Sequence, residues 1–486
     1  MKKIIYFLIA FLLIIMSSCI LFEFFLQTIP LVYRNFPSSN DKVYVYVLGE
    51  SSAWGHPYQG KISFSKIIRC SLNNHIGNKE IELIVLAGPG EQLIHQYFKY
   101  FIYKYTHPLK KGIVLMYMGT NDWEDEGTKN PLKQIYIKFK FAGLLNSYFK
   151  IMYDFAYEYE RIILLAKSFG DDIYMSTIVG NYAGLIPNSI TSLLSDKELN
   201  DEINKVDNLI FNKEYESAFK KCNVLLGKHE DKSQIWYRIG KIYEGQNKVK
   251  EANEAYLNAV EYDRDARPTR HQNKIIKDLS KKYNIPLLDI FDSLFKLNEI
   301  IGYNYFIDKI HPNIKFNIMI AKGFISLLMK KYNLSLKEDL SEKTVITSLG
   351  FSKNDLFILY RDALGEIIAF SYRTDDSSID DSYILDRYNL EVIKQYIYEM
   401  KKINGVIKIK NLSSNLNDKN RVTLLFSDIL FEYIQGNKVK TLKMIKDNDL
   451  VKYFNKVEMH CWNIFFKKWL KQLIKEDKNN LQKSIK

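Results

Sequence analysis

The chain has 486 residues, room for two or three domains, and 14% of them are aromatic, which excludes a chain disordered throughout. Its net charge is +13, but the lysines and arginines are spread thinly and follow no nucleic-acid-binding motif, so a solvated basic surface is expected and no nucleic-acid partner. Cys19, Cys70, Cys222 and Cys461 lack metal-ligand spacing, which argues against a zinc site and against a disulfide framework.

Met1-Lys2-Lys3 opens an apolar run from Ile4 to Phe22, long enough to cross a bilayer as a helix. Residues 1–27 are therefore read as a membrane anchor or signal. The two lysines favour a cytoplasmic N-terminus, with the rest of the chain sent outward. Met16-Ser17-Ser18-Cys19 resembles a lipoprotein cleavage site, and simple secretion is a third reading; the apolar run continuing past Cys19 favours the uncleaved anchor. Residues 28–42, with Pro37-Ser38-Ser39-Asn40, read as a linker.

Val43 to Leu48 is apolar or aromatic at every position, the pattern of a strand buried on both faces. Gly49 breaks it, leaving Ser51 at the carboxyl edge of the sheet, where open α/β folds bind their ligands. Trp54 and His56 follow closely, either as substrate contacts or as ordinary packing. Further strands are expected at 81–86, 113–118, 173–178 and 285–290, with helical patterns between them, including 64–70 and 273–282. That alternation predicts a parallel sheet with helices on both faces. The segment from Trp123 to Tyr157 either roofs the site or packs.

Two later motifs carry partners for the serine. Gly119-Thr120-Asn121-Asp122 closes the third strand, and Asn121 offers a side-chain N–H able to stabilise an oxyanion. Asp308-x-x-His311-Pro312-Asn313 precedes a helical stretch. A serine hydroxyl needs a base, and the base an acceptor that fixes its tautomer; His311 and Asp308 fit those roles.

With these residues in place, the sequence resembles the SGNH (GDSL-type) hydrolases, esterases and acyl-transfer enzymes. Gly49-Glu50-Ser51, Gly90, Gly119-x-Asn121-Asp122 and Asp308-x-x-His311-Pro312 carry the likeness, in the family's order. The resemblance implies a three-layer, flavodoxin-like α/β/α domain. It implies Ser51 as nucleophile, His311 and Asp308 as its activating pair, and an oxyanion hole from Ser51, Gly90 and Asn121, with no metal and no cofactor. The chain departs from the pattern at Glu50, where Asp is usual, at Val85, where Asn is usual, and at Phe316, where glycine is frequent; Glu50 is read as unnecessary to the chemistry.

Between the fourth and fifth strands, residues 200–263 resemble two tetratricopeptide repeats, through Trp236-x-x-Ile239-Gly240-x-x-Tyr243, Ala252 and Tyr256. Two repeats need a neighbour to cover their ends, so docking on the body is expected, with either a protein partner or a purely architectural role. The hydrolase domain is thus divided into 43–199 and 264–340. Arg267 and Arg270 follow the insertion; either could meet an anionic substrate group, Arg270 standing with Trp54 as a candidate substrate contact, and a structural ion pair is the rival reading. Residues 341–486 form a C-terminal α or α+β region without a motif.

The expectation is a membrane-anchored, extracytoplasmic serine esterase. Its substrate would carry an ester, with O-acetyl groups of an envelope or extracellular glycan foremost. An O-acyltransferase with the same triad, or a non-catalytic scaffold using the repeats, are the alternatives.

Overall fold

The computed structural model describes residues 2–36, 41–122, 140, 145, 154–187, 197–229, 232–263, 267–334 and 340–352, with isolated positions beyond. The expected linker core, most of the proposed roof and nearly all of the C-terminal region lie outside the described residues. The chain divides into two compact units, one of Met1–Tyr305 with Ile310–Leu349 and one of Phe306–Lys309 with Gly350–Lys486.

The first unit is α/β. Its sheet runs in the order β2-β3-β1-β4-β5-β6, from β1 (Lys42–Leu48), β2 (His75–Ile76), β3 (Lys79–Val85), β4 (Gly112–Met116), β5 (Asp172–Ser176) and β6 (Leu287–Leu288). All neighbours pair in parallel except the short edge strand β2, which is antiparallel to β3 and was not expected from sequence. The central strands are buried on both faces: Tyr46, Val47 and Leu48 of β1 and Val114, Leu115 and Met116 of β4 have no exposed surface. The fifth strand is shorter than expected. Only Leu287 and Leu288 pair with β5, and Asp289 turns away to cap the following helix α11 (Ile290–Phe295).

Helices flank the sheet on both sides. A chain leaving β1 for β3 moves one way across the sheet and a chain leaving β3 for β4 moves the other, so right-handed crossovers set their helices on opposite faces. In keeping with this, α3 (Phe64–Ser71) packs with α12 (Ile314–Tyr332), and α4 (Leu93–Thr106) packs with α5 (Phe155–Phe169). The amino edge is pinned by Lys104, buried with Asp171 at 2.9 Å; Tyr100 Oη and the Gly112 amide also donate to that carboxylate.

Residues 197–262 form two helical hairpins, α6 (Lys197–Phe211) with α7 (Tyr215–Lys228), and α8 (Ser233–Gly245) with α9 (Val249–Tyr262). Gly240 lets α8 and α9 approach closely, since a Cβ there would lie 2.4 Å from the Tyr256 ring. The hairpins are stitched to the body. Tyr237 Oη donates to the Ala183 carbonyl at 3.2 Å, and the Asn253 side chain bridges the Glu299 carbonyl and the Ile301 amide, each at 3.0 Å. Next comes α10 (Arg270–Tyr283), begun by a Thr269/Gln272 capping box three residues earlier than expected.

At the N-terminus, α1 (Lys2–Tyr33) is long and apolar enough to cross a membrane, with mean hydropathy 1.7 over Leu13–Tyr33. Within the second unit, Ser352 caps a turn by accepting from the Asp355 amide at 3.2 Å, and Leu359, Ala363, Ile429 and Thr441 are buried.

Candidate active site

Ser51 opens the one-turn helix α2 (Ser51–Trp54) directly after β1, at the carboxyl edge of the sheet. The turn that puts it there depends on Gly49, whose φ is +154°. A Cβ at Gly49 would lie 2.2 Å from the Tyr117 carbonyl oxygen and 2.5 Å from Ala53 Cβ, so the two strand ends meet only because nothing projects.

His311 stands at the end of the loop leading into α12, and its Nε2 lies 2.6 Å from Ser51 Oγ. Two residues separated by 260 positions in the chain are thus in hydrogen-bond contact. With Nε2 unprotonated the hydroxyl donates, the arrangement a general base requires. The loop is held in place by Ser52, whose hydroxyl donates to the Ile310 carbonyl at 3.0 Å. Past His311, the Asn313 side chain accepts from the Phe316 amide to cap α12 and donates to the Asn304 carbonyl at 3.0 Å. Asp308 is fully buried, three residues ahead of His311 in the chain.

Glu50 has a part that the sequence reading did not give it. Its carboxylate is fully buried and accepts from the amides of Gly119, at 2.7 Å, and Thr120, at 3.3 Å, and from the Thr120 hydroxyl at 3.1 Å. One side chain therefore fixes the loop carrying Asn121 against the loop carrying Ser51. Burial, and after it the charge on Asp122, push the Glu50 carboxyl well above the ordinary range, and the three donors offset this only in part. Asp122 extends the network by accepting from the Leu93 amide at 3.2 Å, at the start of α4.

Asn121 Nδ2 donates to the Glu91 carbonyl at 2.9 Å, which brings the third loop beside the second, where Gly90 sits with φ of +71°. The glycine's conformation is one a side chain rarely adopts, and no atom would obstruct a Cβ, so its backbone rather than a tight contact calls for glycine. Gln96 joins the first loop to α4 by accepting from the Gly49 amide at 3.1 Å.

His56 lies with its ring centroid 4.3 Å from that of His311, the rings tilted by 52°. Sequence left it between substrate contact and packing; no motif pointed to a second imidazole at the base. Trp54 is half-buried and its indole lies over Gly60. Arg270 is engaged elsewhere: its guanidinium meets Glu254 at 2.6 Å and Asn258 at 3.0 Å on α9. Arg267 is buried and pairs with Asp263 while donating to the Asn181 carbonyl at 3.1 Å. Both arginines thus make the structural pairs that were the rival reading. The start of α10 nonetheless lies at the carboxyl edge, because Gln272 Nε2 donates to the Asp122 carbonyl at 2.7 Å.

The chain matches no protein-family model and no curated protein.

Proposed function

We propose that this protein is a serine hydrolase of the SGNH type acting on an ester, with Ser51 as nucleophile. The observation that carries the reading is the 2.6 Å contact between His311 Nε2 and Ser51 Oγ at the carboxyl edge of a parallel sheet. The order of the parallel strands, β3-β1-β4-β5-β6, supports a flavodoxin-like reading, in which the switch point lies beside the end of β1.

The chemistry follows from the contacts. His311 takes the Ser51 proton as Oγ attacks the acyl carbon, and the resulting imidazolium returns it to the leaving alkoxide. To Asp308 we assign the role of acceptor that sets the imidazole tautomer and leaves Nε2 free to accept. The oxyanion is received by the Ser51 and Gly90 amides and by Asn121, whose amide nitrogen carries a second hydrogen besides the one given to Glu91. Water or an acceptor hydroxyl then resolves the acyl-enzyme, so esterase and O-acyltransferase share every residue up to that step.

The two hairpins between β5 and β6 are read as tetratricopeptide-like, supported by the Gly240–Tyr256 approach. With α1 as an uncleaved anchor and Lys2-Lys3 inside, the domain is extracytoplasmic, which makes O-acetyl groups of an envelope or extracellular glycan the leading substrates. The test is acetate release by full-length protein from acetylated sugars and short-chain aryl esters. Release that is lost in Ser51→Ala supports the reading, and unchanged release in that variant rejects it. Acetate freed without any acceptor favours esterase over transferase.

A further inference from the structure

Asparagine is a poor choice for the middle of a helix, because its amide competes with the backbone for hydrogen bonds. Asn253 nonetheless stands in the second turn of α9, buried, between Ala252 and Tyr256 of the repeat-like pattern. What it meets on the body explains its place. Its Nδ2 donates to the Glu299 carbonyl and its Oδ1 accepts from the Ile301 amide, each at 3.0 Å. One side chain thus takes two backbone groups that the peptide groups of a neighbouring strand would otherwise satisfy.

The segment it holds leads to the base. The Ile301 carbonyl accepts from the Tyr182 and Ala183 amides, at 3.2 and 3.1 Å, and the Ala183 carbonyl accepts from Tyr237 of α8, so both helices of the second hairpin fasten this stretch. Beyond Ile301 the chain turns, the Tyr305 amide donating to the Gly302 carbonyl at 3.0 Å. The Tyr305 carbonyl then accepts from the Asn313 amide at 2.8 Å, and the Asn313 side chain donates to the Asn304 carbonyl. Glu299 adds a further tie, its carboxylate accepting from Tyr305 Oη at 2.9 Å and from Lys315 Nζ, in the first turn of α12, at 2.7 Å. His311 is therefore held between two fastenings, Ser52 on the Ile310 carbonyl and the 299–305 clasp on Asn313. The first belongs to the nucleophile's own helix and the second to the hairpins.

We propose that Asn253 is a positioning residue for the reaction: it sets the 299–305 clasp which, through Asn313, keeps His311 Nε2 within reach of Ser51 Oγ. The inserted hairpins are then part of the catalytic framework rather than a detachable module. This rests on the serine hydrolase reading for its chemistry, and on the hydrogen bonds of the clasp for its geometry. The 2.6 Å contact leaves little tolerance, since a displacement of about 1 Å between reacting groups can cost about 10² in rate. Removing the amide strips the Glu299 carbonyl and the Ile301 amide of that partner, and the clasp must shift or admit water to satisfy them.

The experiment follows fluorophosphonate labelling of Ser51 in full-length protein as a double-mutant cycle. Asn253→Leu, which keeps the size of the side chain and removes both hydrogen bonds, is expected to slow labelling about 10- to 10²-fold, without exceeding the loss in His311→Ala. In the His311→Ala background the same change is expected to slow labelling by less than about twofold more, because the two residues act as one unit. Losses that multiply, or no slowing by Asn253→Leu alone, overturn the proposal. Asn253→Ala is run beside it, so that misfolding of one variant leaves the other to decide. Leu225→Ala opens a cavity in α7, which carries none of these bonds, and should leave the labelling rate unchanged; slowing equal to that of Asn253→Leu would mean general loosening of the hairpins and overturns the proposal too. Hydrogen exchange reads the geometry apart from the chemistry: the amides of residues 301, 305 and 313 are expected to exchange at least about tenfold faster in Asn253→Leu and at the wild-type rate in Leu225→Ala. Wild type left unlabelled at Ser51 would reject the hydrolase reading, whereas unchanged exchange in Asn253→Leu would overturn the positioning role by itself, so the two failures are told apart.

Discussion

Replacing Glu50 with glutamine tests how the first and third loops are held. The side chain is fully buried, and two amides and a hydroxyl converge on its carboxylate. Its pKa is raised to about 8, chiefly by burial, from an ordinary value of 4.5. A carboxyl raised in the folded state binds its proton more tightly there than in the unfolded chain. It therefore lowers stability as pH rises from the unfolded value through the folded one. Each pH unit within that window costs up to about 1.4 kcal/mol, so from pH 5 to pH 8 the wild type should lose about 3 to 4 kcal/mol relative to Glu50→Gln, which carries no titrating group. Urea denaturation of both proteins at pH 5, 6, 7 and 8 measures the difference, and the groups that do not interact with Glu50 cancel. At pH 5 the variant is expected to be the less stable, because its NH2 faces backbone donors, with the gap closing or reversing by pH 8. Parallel stability curves across that range would refute the assignment of a strained, buried carboxyl to Glu50.

Three other substitutions have definite expectations. Asn121→Ala should lower kcat by about 10² to 10³ with little change in KM, the loss usual for one oxyanion donor, measured on an aryl ester. Lys104→Met leaves Asp171 buried without its cation and should cost about 3 to 5 kcal/mol in denaturant unfolding, while a stability unchanged from wild type would contradict the burial of that pair. Gly49→Ala forces a Cβ into the Tyr117 carbonyl and Ala53, and should destabilise by about 1 to 3 kcal/mol or more while slowing any reaction at Ser51; calorimetry and a rate assay on the same sample check both effects.

Much of the sheet was legible because its central strands are unbroken apolar runs, and a strand buried on both faces leaves that mark in sequence. The edges were less so. Strand β2 is two residues long with polar neighbours, and β6 shrinks to Leu287–Leu288 because Pro286 precedes it and Asp289 is needed as a helix cap. The start of α10 is encoded in Thr269-x-x-Gln272, a capping-box spacing that begins the helix three residues ahead of the apolar and charged stretch opening at Asn273. At the candidate site, Ser51, His311 and Asn121 could be marked by residue type and position relative to the strands. Glu50, Ser52 and His56 could not, because what they do depends on which distant loop lies opposite: Glu50 on Gly119 and Thr120, Ser52 on Ile310, His56 on His311. The ion pair of Arg270 was hidden for a related reason, since local sequence does not reveal that Glu254 and Asn258 of α9 are within its reach.

The account stands on Ser51 being a nucleophile activated by His311. Full-length protein treated with a fluorophosphonate and digested for mass spectrometry should carry the adduct on the peptide containing Ser51. Labelling should vanish in Ser51→Ala and slow by about 10² or more in His311→Ala, given what a positioned base contributes. An adduct on another residue, or equal labelling rates in wild type and His311→Ala, would contradict it.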